Sequence, residues 1–230
     1  MSELEKRIEP ANPEESHVAT VLLLDVSESM RDNDKIAQLN EGLRIFKDEV
    51  CQDDRACKRV DLAVITFGGS VDIIHDFSSI EAFEPPVLTT KGQTPMGAAI
   101  LKAIEIVEKR KAYYKGNGMD YFRPWIFMIT DGEPTDISPE RPEWKEVVKA
   151  VADGEGKRKF LFFTIGVEPA NMEILKKLAP SNRPPQRLAH GRFKELFSWV
   201  SKSQQAIANS QMGQMVALPA VDSWAEIPSK

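Results

Sequence analysis

Cysteine is scarce in this sequence, with 2 copies among 230 residues. Five residues separate Cys51 from Cys57, a spacing that differs from the Cys-x-x-Cys of redox and zinc motifs. We therefore expect two free thiols in a reducing compartment, with a local disulfide as the less favoured alternative.

Long apolar runs are missing as well. No segment of the sequence approaches the ~20 consecutive apolar residues that are needed to span a bilayer. Residues 1–7 carry charges, but no apolar segment follows them as it would in a secretory signal. These absences predict a cytoplasmic protein without a membrane span.

An excess of positive charge is also absent, because 30 Lys and Arg residues face 35 Asp and Glu residues, for a formal charge of −5. No basic stripe with interleaved aromatic residues occurs, so we do not expect nucleic acid as a partner. The sequence also lacks the Gly-x-Ser-x-Gly elbow of α/β-hydrolases and the phosphate-binding loop of nucleotide hydrolases.

What the chain does contain is an alternation of apolar, strand-like runs with amphipathic, helix-like segments. This order is typical of an α/β fold with a mostly parallel sheet covered by helices on both faces. The predicted strands are 18–25, 60–67, 71–77, 125–130, 160–167 and 186–189, with a tight hairpin around Gly68 and Gly69. Helices are predicted from about residue 34, after Thr94, over 143–152 and 171–178, and from residue 193.

The ends of the chain differ from its centre. Residues 1–16 are polar and without periodicity, which predicts a flexible arm before a domain of residues 17–209. Residues 210–230 predict an extended tail that docks on the domain or on a partner, because Val216, Leu218 and Trp224 lie close together in it. The less favoured alternative is that Asp222 or Glu226 in this tail reaches a metal site.

Oxygen-bearing side chains cluster where predicted strands end. Asp25, Ser27 and Ser29 directly follow the first strand, Asp131 follows the fourth, and Thr94 precedes a helix. In an open parallel sheet, ligands bind beyond the carboxyl ends of the strands. Hydroxyls, carboxylates and water are the ligands that magnesium prefers. The sequence therefore predicts a site for a divalent cation, with magnesium as the expected ion and manganese or calcium as alternatives.

Each of these residues also has an ordinary structural explanation. Thr94 before Pro95 is a plausible helix cap, the serines are suited to turns, and Asp131-Gly132 is a common turn after a strand. Taken one at a time, these explanations are favoured. Because all of the groups occupy equivalent loop positions, the metal site is the better explanation of the set.

The same residues resemble the metal-ion-dependent adhesion site (MIDAS) of von Willebrand factor type A domains, which consists of Asp-x-Ser-x-Ser, a separate Thr and an Asp in a Thr-Asp-Gly turn. Asp25, Ser27, Ser29, Thr94 and Asp131 match it one by one. The resemblance covers about residues 18–208. It implies a doubly wound, six-stranded sheet with one short antiparallel edge strand, and a magnesium-type ion at its top.

Further segments resemble the stand-alone bacterial members associated with tellurite resistance. These segments are 94–100, 121–125, 129–136 and 216–219. Such domains are usually encoded beside phosphatases and kinases, which implies a scaffold in stress signalling. One position departs from the motif, since Glu28 stands where glycine is common. Its side chain is expected in solvent, with an orientation toward the ion or across the partner's path as alternatives.

The resulting function hypothesis is a non-enzymatic module whose ion holds an acidic side chain of a partner protein. A metal-dependent hydrolase or phosphatase is an alternative, but no base is expected beside the ion: His17 and His75 are predicted elsewhere, and only His190 has a predicted position near the rim. A structural subunit with a vestigial site is a further alternative. Asp136 is expected in a surface turn, with a role at the rim of the site as the less favoured reading.

Overall fold

A computed structural model describes residues 15–226, so residues 1–14 of the predicted arm lie outside the described residues. The strands are β1 (Val18–Asp25), β2 (Val60–Gly68), β3 (Ser70–Ser79), β4 (Trp125–Thr130), β5 (Leu161–Val167) and β6 (Gln186–Leu188). The α-helices are α1 (Lys35–Val50), α2 (Asp54–Arg59), α3 (Met96–Gly116), α4 (Pro142–Gly156), α5 (Met172–Leu178) and α6 (Phe193–Ala208). Two 3₁₀ helices, Glu28–Asp34 and Ile80–Ala82, follow β1 and β3.

Within the described range the strands form one sheet in the order β3-β2-β1-β4-β5-β6. Only the pairing of β2 with β3 is antiparallel, and the other four pairings are parallel. The predicted fold is therefore confirmed. The chain reverses its direction across the sheet after β3, so β1 and β4 lie side by side at its centre, where ligand sites of open α/β sheets are found.

The central strands are apolar because both faces of the sheet are covered. Every residue of β1 and β2 is buried, whereas most of edge strand β3 is exposed or half-buried. Along β1, alternate residues enter two different cores: Leu22 packs into the layer beneath α1 and α6, and Leu23 packs beneath α3 and α4. The alternation follows from the two-residue period of a strand.

Helices α1 and α6 approach each other closely because Gly42 has no side chain. A Cβ atom at this position would lie 2.1 Å from Cδ2 of Phe197. This contact packs α1 closely against α6.

A buried charged cluster closes the opposite end of the sheet. Asp61, at the start of β2, lies 3.0 Å from Nδ1 of His17 and 2.9 Å from a guanidinium nitrogen of Arg110. The hydroxyl of Tyr114 donates a further hydrogen bond to the same carboxylate. Burial alone would raise the pKa of Asp61, but the contacts from His17 and Arg110 outweigh it, so the pKa lies below its usual value.

The prediction of free thiols was wrong. Cys51 and Cys57 form a disulfide, because the turn between α1 and α2 brings their Cα atoms to 4.5 Å. The cysteines therefore give no support for a reducing compartment. No helix among residues 15–226 combines the length and the apolar character that crossing a membrane requires.

The segment after α6 returns to the sheet. Ala225 forms an antiparallel bridge with Leu188 of β6, and the indole Nε1 of Trp199 donates to the carbonyl of Pro219 at 2.8 Å. Trp224 is 2% exposed and stacks obliquely on Trp199. The carboxylate of Glu226 lies 3.4 Å from Nε of Arg187, so it faces the β6 edge. The tail thus covers an edge that would otherwise expose unpaired backbone groups.

Candidate metal centre

Asp25 ends β1 and lies at the centre of the carboxyl edge of the sheet. Its side chain is fully buried and accepts two hydrogen bonds, from the backbone N–H of Ser27 at 2.8 Å and from the hydroxyl of Thr130 at 2.5 Å. Burial raises the pKa of the Asp25 carboxyl despite these bonds, and the nearby charge of Asp131 raises it further. A buried carboxylate with a raised pKa gains from a nearby cation.

The two serines join Asp25 to the loop after β4. The hydroxyl oxygens of Ser27 and Ser29 lie 3.1 Å apart, and the Ser29 hydroxyl donates to Oδ1 of Asp131 at 2.6 Å. Ser27 is 2% exposed and Ser29 is half-buried. The chain holds both hydroxyls inward because the 3₁₀ turn at Glu28–Asp34 begins between them.

Thr94 comes from a third loop that is tied to the first. The backbone N–H of Lys91 donates to the carbonyl of Val26 at 2.7 Å, and that of Glu28 donates to the carbonyl of Gly92 at 3.1 Å. Thr94 is 5% exposed, yet none of the residues from 15 to 226 hydrogen-bonds its hydroxyl.

Gly132 leaves the space between these loops open. A Cβ atom built at this glycine would lie 3.1 Å from Oγ1 of Thr94 and 3.6 Å from Oδ2 of Asp25. The absence of a side chain therefore leaves a cradle that is bordered by a hydroxyl and a carboxylate. The structure thus brings all five predicted residues together.

A basic side chain of the protein, that of Lys35, lies at the same site. Nζ of Lys35, the first residue of α1, contacts Oδ2 of Asp131, and both side chains are buried. The same ammonium also donates to the backbone carbonyl of Glu168 at 3.4 Å.

Residues 20–133 match the family profile of the von Willebrand factor type A domain. This chain has the fold of a von Willebrand factor type A (vWA) domain. The match includes the loops that contribute Asp25, Thr94 and Asp131. The finer assignment to the tellurite-resistance group does not follow from it.

Solved structures show the same fold. The pilus adhesin SpaC from Lactobacillus rhamnosus GG aligns with a TM-score of 0.64 at 11% identity, over 84% of this chain and 31% of SpaC. The vWF domain of the type V pili tip protein Mfa5 from Porphyromonas gingivalis aligns with a TM-score of 0.58 at 12% identity, over 87% of this chain and 98% of that domain.

A third structure carries a metal. Proximal thread matrix protein 1 from the mussel byssus, with a zinc-occupied MIDAS motif, gives a TM-score of 0.52 at 14% identity, over 81% of this chain and 46% of its own. The present chain thus spans less than half the length of this protein and less than a third of that of SpaC. No curated protein shows significant similarity to the sequence.

The donor set at this edge of the sheet fits a hard divalent cation. Two carboxylates and three hydroxyls are oxygen donors of the kind that magnesium and calcium bind. The hydroxyl of Thr94 and the open cradle at Gly132 offer an unused donor and room beside it. Among residues 15–226 no cluster of three or more His, Cys, Asp or Glu side chains could hold a metal ion. Such a site therefore depends on its hydroxyls.

Glu28 does not face the cradle. Its carboxylate lies 2.7 Å from Nη2 of Arg31, and both side chains are more than half exposed. The expectation of a solvated Glu28 therefore holds, because a basic partner one helical turn away holds it at the surface.

Asp136 caps a helix. Its carboxylate accepts the backbone N–H groups of Gly97 at 3.1 Å and Ala98 at 2.8 Å. These N–H groups belong to the first turn of α3, which has no preceding carbonyl partners. Asp136 therefore fixes the start of α3 just after Thr94. The sequence had favoured a surface turn over a role at the rim of the site.

The histidines lie apart from the five oxygen groups. His17 belongs to the Asp61 cluster at the opposite edge, and His75 contacts Ser78 in β3, where burial lowers its pKa. His190 lines a cavity of about 270 Å³ beside Lys35, Gln38 and Glu168. No described histidine hydrogen-bonds Asp25 or Asp131.

Lys35 was not expected at the site. A lysine in an amphipathic helix is ordinarily solvated. One signal was available in the sequence, since a cation at the first helical position is unfavourable next to the positive end of the helix dipole. A lysine in that position gains from a nearby anion, which here is Asp131.

Proposed function

We propose that this vWA domain is a non-enzymatic interaction module that binds a divalent cation and, through it, an acidic side chain of a partner protein. The observation that carries the proposal is the convergence of five oxygen donors from three loops around the cradle at Gly132. Magnesium is the expected ion, with manganese or calcium as alternatives.

In this proposal Ser27, Ser29 and Thr94 bind the cation directly, and Asp25 and Asp131 bind it directly or through water. The bound cation supplies a positive charge at the protein surface to which a carboxylate is attracted. The chain's own part is to hold the hydroxyls in position, through the bonds that join Ser27, Ser29 and Asp131. Neutral hydroxyls leave more of the ion's charge for the partner than carboxylates would.

We further propose a cytoplasmic, bacterial setting of stress signalling, with a phosphatase or a kinase as partner. The support is the resemblance of segments 94–100 and 129–136 to the tellurite-resistance group. Tellurite is included as the relevant stress only because these segments resemble that group.

Isothermal titration of the metal-free protein with MgCl₂, MnCl₂ and CaCl₂ tests the cation site. We expect one cation per chain for the native protein, and loss of at least about tenfold in affinity for Asp25→Asn, which removes a charge while keeping the size of the side chain. Asp48→Asn, at an exposed position of α1, is the matched control. Equal binding by the native protein and Asp25→Asn would refute the site.

The partner role is tested by a pull-down from the native cell. A specific partner should be lost on addition of EDTA and with Asp25→Asn, and kept with Asp48→Asn. A partner retained by Asp25→Asn would favour the structural-subunit alternative. Metal-dependent phosphoester turnover that persists through purification and is lost in Asp25→Asn would instead favour an enzyme.

A further inference from the structure

The buried Lys35–Asp131 pair places an ammonium group inside the candidate metal centre. The side chains are 5% and 0% exposed, respectively, so solvent screens their charges poorly. The centre holds two carboxylates, Asp25 and Asp131, and this ammonium compensates one of them. A divalent cation that enters the centre therefore meets a single uncompensated negative charge and a nearby like charge.

Two residues in left-handed conformations immediately precede Lys35. Asn33 and Asp34 both adopt left-handed conformations, with φ of 54° and 55°, immediately before α1 begins. Left-handed conformations are uncommon for residues other than glycine, and they persist where the surrounding structure imposes them. Starting a helix with a buried lysine also opposes the helix dipole. Asn and Asp adopt left-handed conformations more readily than other residues with side chains, so the unfavourable feature that accompanies this contact is the position of the lysine.

The ammonium also has an alternative position within reach. Nζ of Lys35 lies 3.4 Å from the carbonyl oxygen of Glu168, on the side of the cavity of about 270 Å³. The side chains of Gln38 and His190 line the same cavity. A cavity of this size with polar side chains in its lining gives the lysine room to leave Asp131 without losing all hydrogen bonding.

We infer that Lys35 is an internal counter-cation that occupies Asp131 when no metal is bound, stabilises the empty centre and lowers its affinity for divalent cations. This inference rests on the proposed cation site. Binding of a cation then requires Lys35 to release Asp131. The centre therefore binds a cation only at higher cation concentrations than the same two carboxylates would need without the lysine. Lys35 is a positioning residue for the metal centre.

The test compares the native protein with Lys35→Met, which removes the charge and keeps a similar length, and with Lys35→Arg, which retains the charge. Each is titrated with MnCl₂ and MgCl₂ by calorimetry, and its melting temperature is measured in EDTA and at several MgCl₂ concentrations. We expect Lys35→Met to bind at least about tenfold more tightly than the native protein, and Lys35→Arg to bind as the native protein does.

Thermal melting separates this role from simple structural support. We expect Lys35→Met to melt lower than the native protein in EDTA and to recover the difference as MgCl₂ is added. A lysine with only a structural role would leave the same deficit at every MgCl₂ concentration, and that result would overturn the inference. If Lys35→Met does not fold in EDTA, Lys35→Gln replaces it, because its amide can still donate to Asp131.

The outcomes distinguish a failure of this inference from a failure of the proposed cation site on which it rests. Equal cation affinities of the native protein and Lys35→Met, both abolished by Asp25→Asn, would overturn the counter-cation and leave the metal site intact. Absence of binding in both proteins would refute the site itself and, with it, the inference. Binding by Lys35→Met alone would support both.

Discussion

Replacing Gly132 by alanine should weaken cation binding without unfolding the domain. The added methyl carbon would lie 3.1 Å from Oγ1 of Thr94 and 3.5 Å from its Cγ2. The first distance is shorter than an ordinary van der Waals contact, so Thr94 must move by a few tenths of an ångström. Gly132 does not have the positive φ that would strain an alanine.

The expected loss of affinity follows from this displacement. Metal–ligand distances in proteins are held to within about 0.2 Å, so a hydroxyl displaced by more than this binds poorly. Changes to groups that position metal ligands cost roughly 10–100-fold in affinity, which is about 1.4–2.7 kcal/mol. The folding stability should change by less than about 1 kcal/mol, because the methyl enters a half-open cradle and creates no cavity.

Calorimetric titration with MgCl₂ and MnCl₂ measures the affinity, and urea unfolding in EDTA measures the stability. Gly116→Ala is the matched control, because a Cβ atom at that exposed helical glycine meets nothing within 4 Å. Unchanged affinity in Gly132→Ala would refute the placement of Thr94 as a ligand. A loss of affinity together with several kcal/mol of stability would show that the effect comes from misfolding.

Two further predictions concern the tail and the buried acid. Trp224→Ala should destabilise the protein by about 3 kcal/mol in urea unfolding, because it removes a buried ring that packs on Trp199. For Asp61, whose folded pKa is depressed, stability is present above the unfolded pKa near 3.8 and is lost as pH falls through the lower folded value. Asp61→Asn should therefore be less stable at pH 7 by about 3–5 kcal/mol and should lose less on acidification between pH 5 and 2.5.

Exposed residues provide the controls. Met215→Ala, at a side chain that is 97% exposed, should stay within about 0.5 kcal/mol of the native protein. If Trp224→Ala behaves like Met215→Ala, the tail is not docked in solution. Asp48→Asn should keep the native acid profile, and an identical profile for Asp61→Asn would contradict the pairing of Asp61 with His17 and Arg110.

Local patterns were sufficient to predict the elements and the order of the fold. The two-residue alternation of β1 and the stripes of α1 and α3 are properties of short segments, so their periods can be read without the rest of the chain. The predicted limits of β4 coincide with Trp125–Thr130, whereas β3 extends to Ser70–Ser79, beyond its predicted range. Edge strands are harder to delimit because one side of their backbone is unpaired.

Contacts that depend on how the chain turns or how two segments pack together were not predictable in this way. Cys51 and Cys57 carry no signal that separates a free pair from a disulfide, since the turn between two helices decides their distance. Asp136 looked like an ordinary turn residue because its partners, the first N–H groups of α3, lie 38 and 39 residues earlier.

The sequence by itself determined the α/β fold and the five oxygen side chains at Asp25, Ser27, Ser29, Thr94 and Asp131, because a motif at strand ends already brings such groups to one edge. The tertiary structure alone decided that Lys35 lies inside the centre. The physical reason is distance along the chain. Lys35 and Asp131 are separated by 96 positions, and only packing of α1 against the sheet brings the two charges into contact.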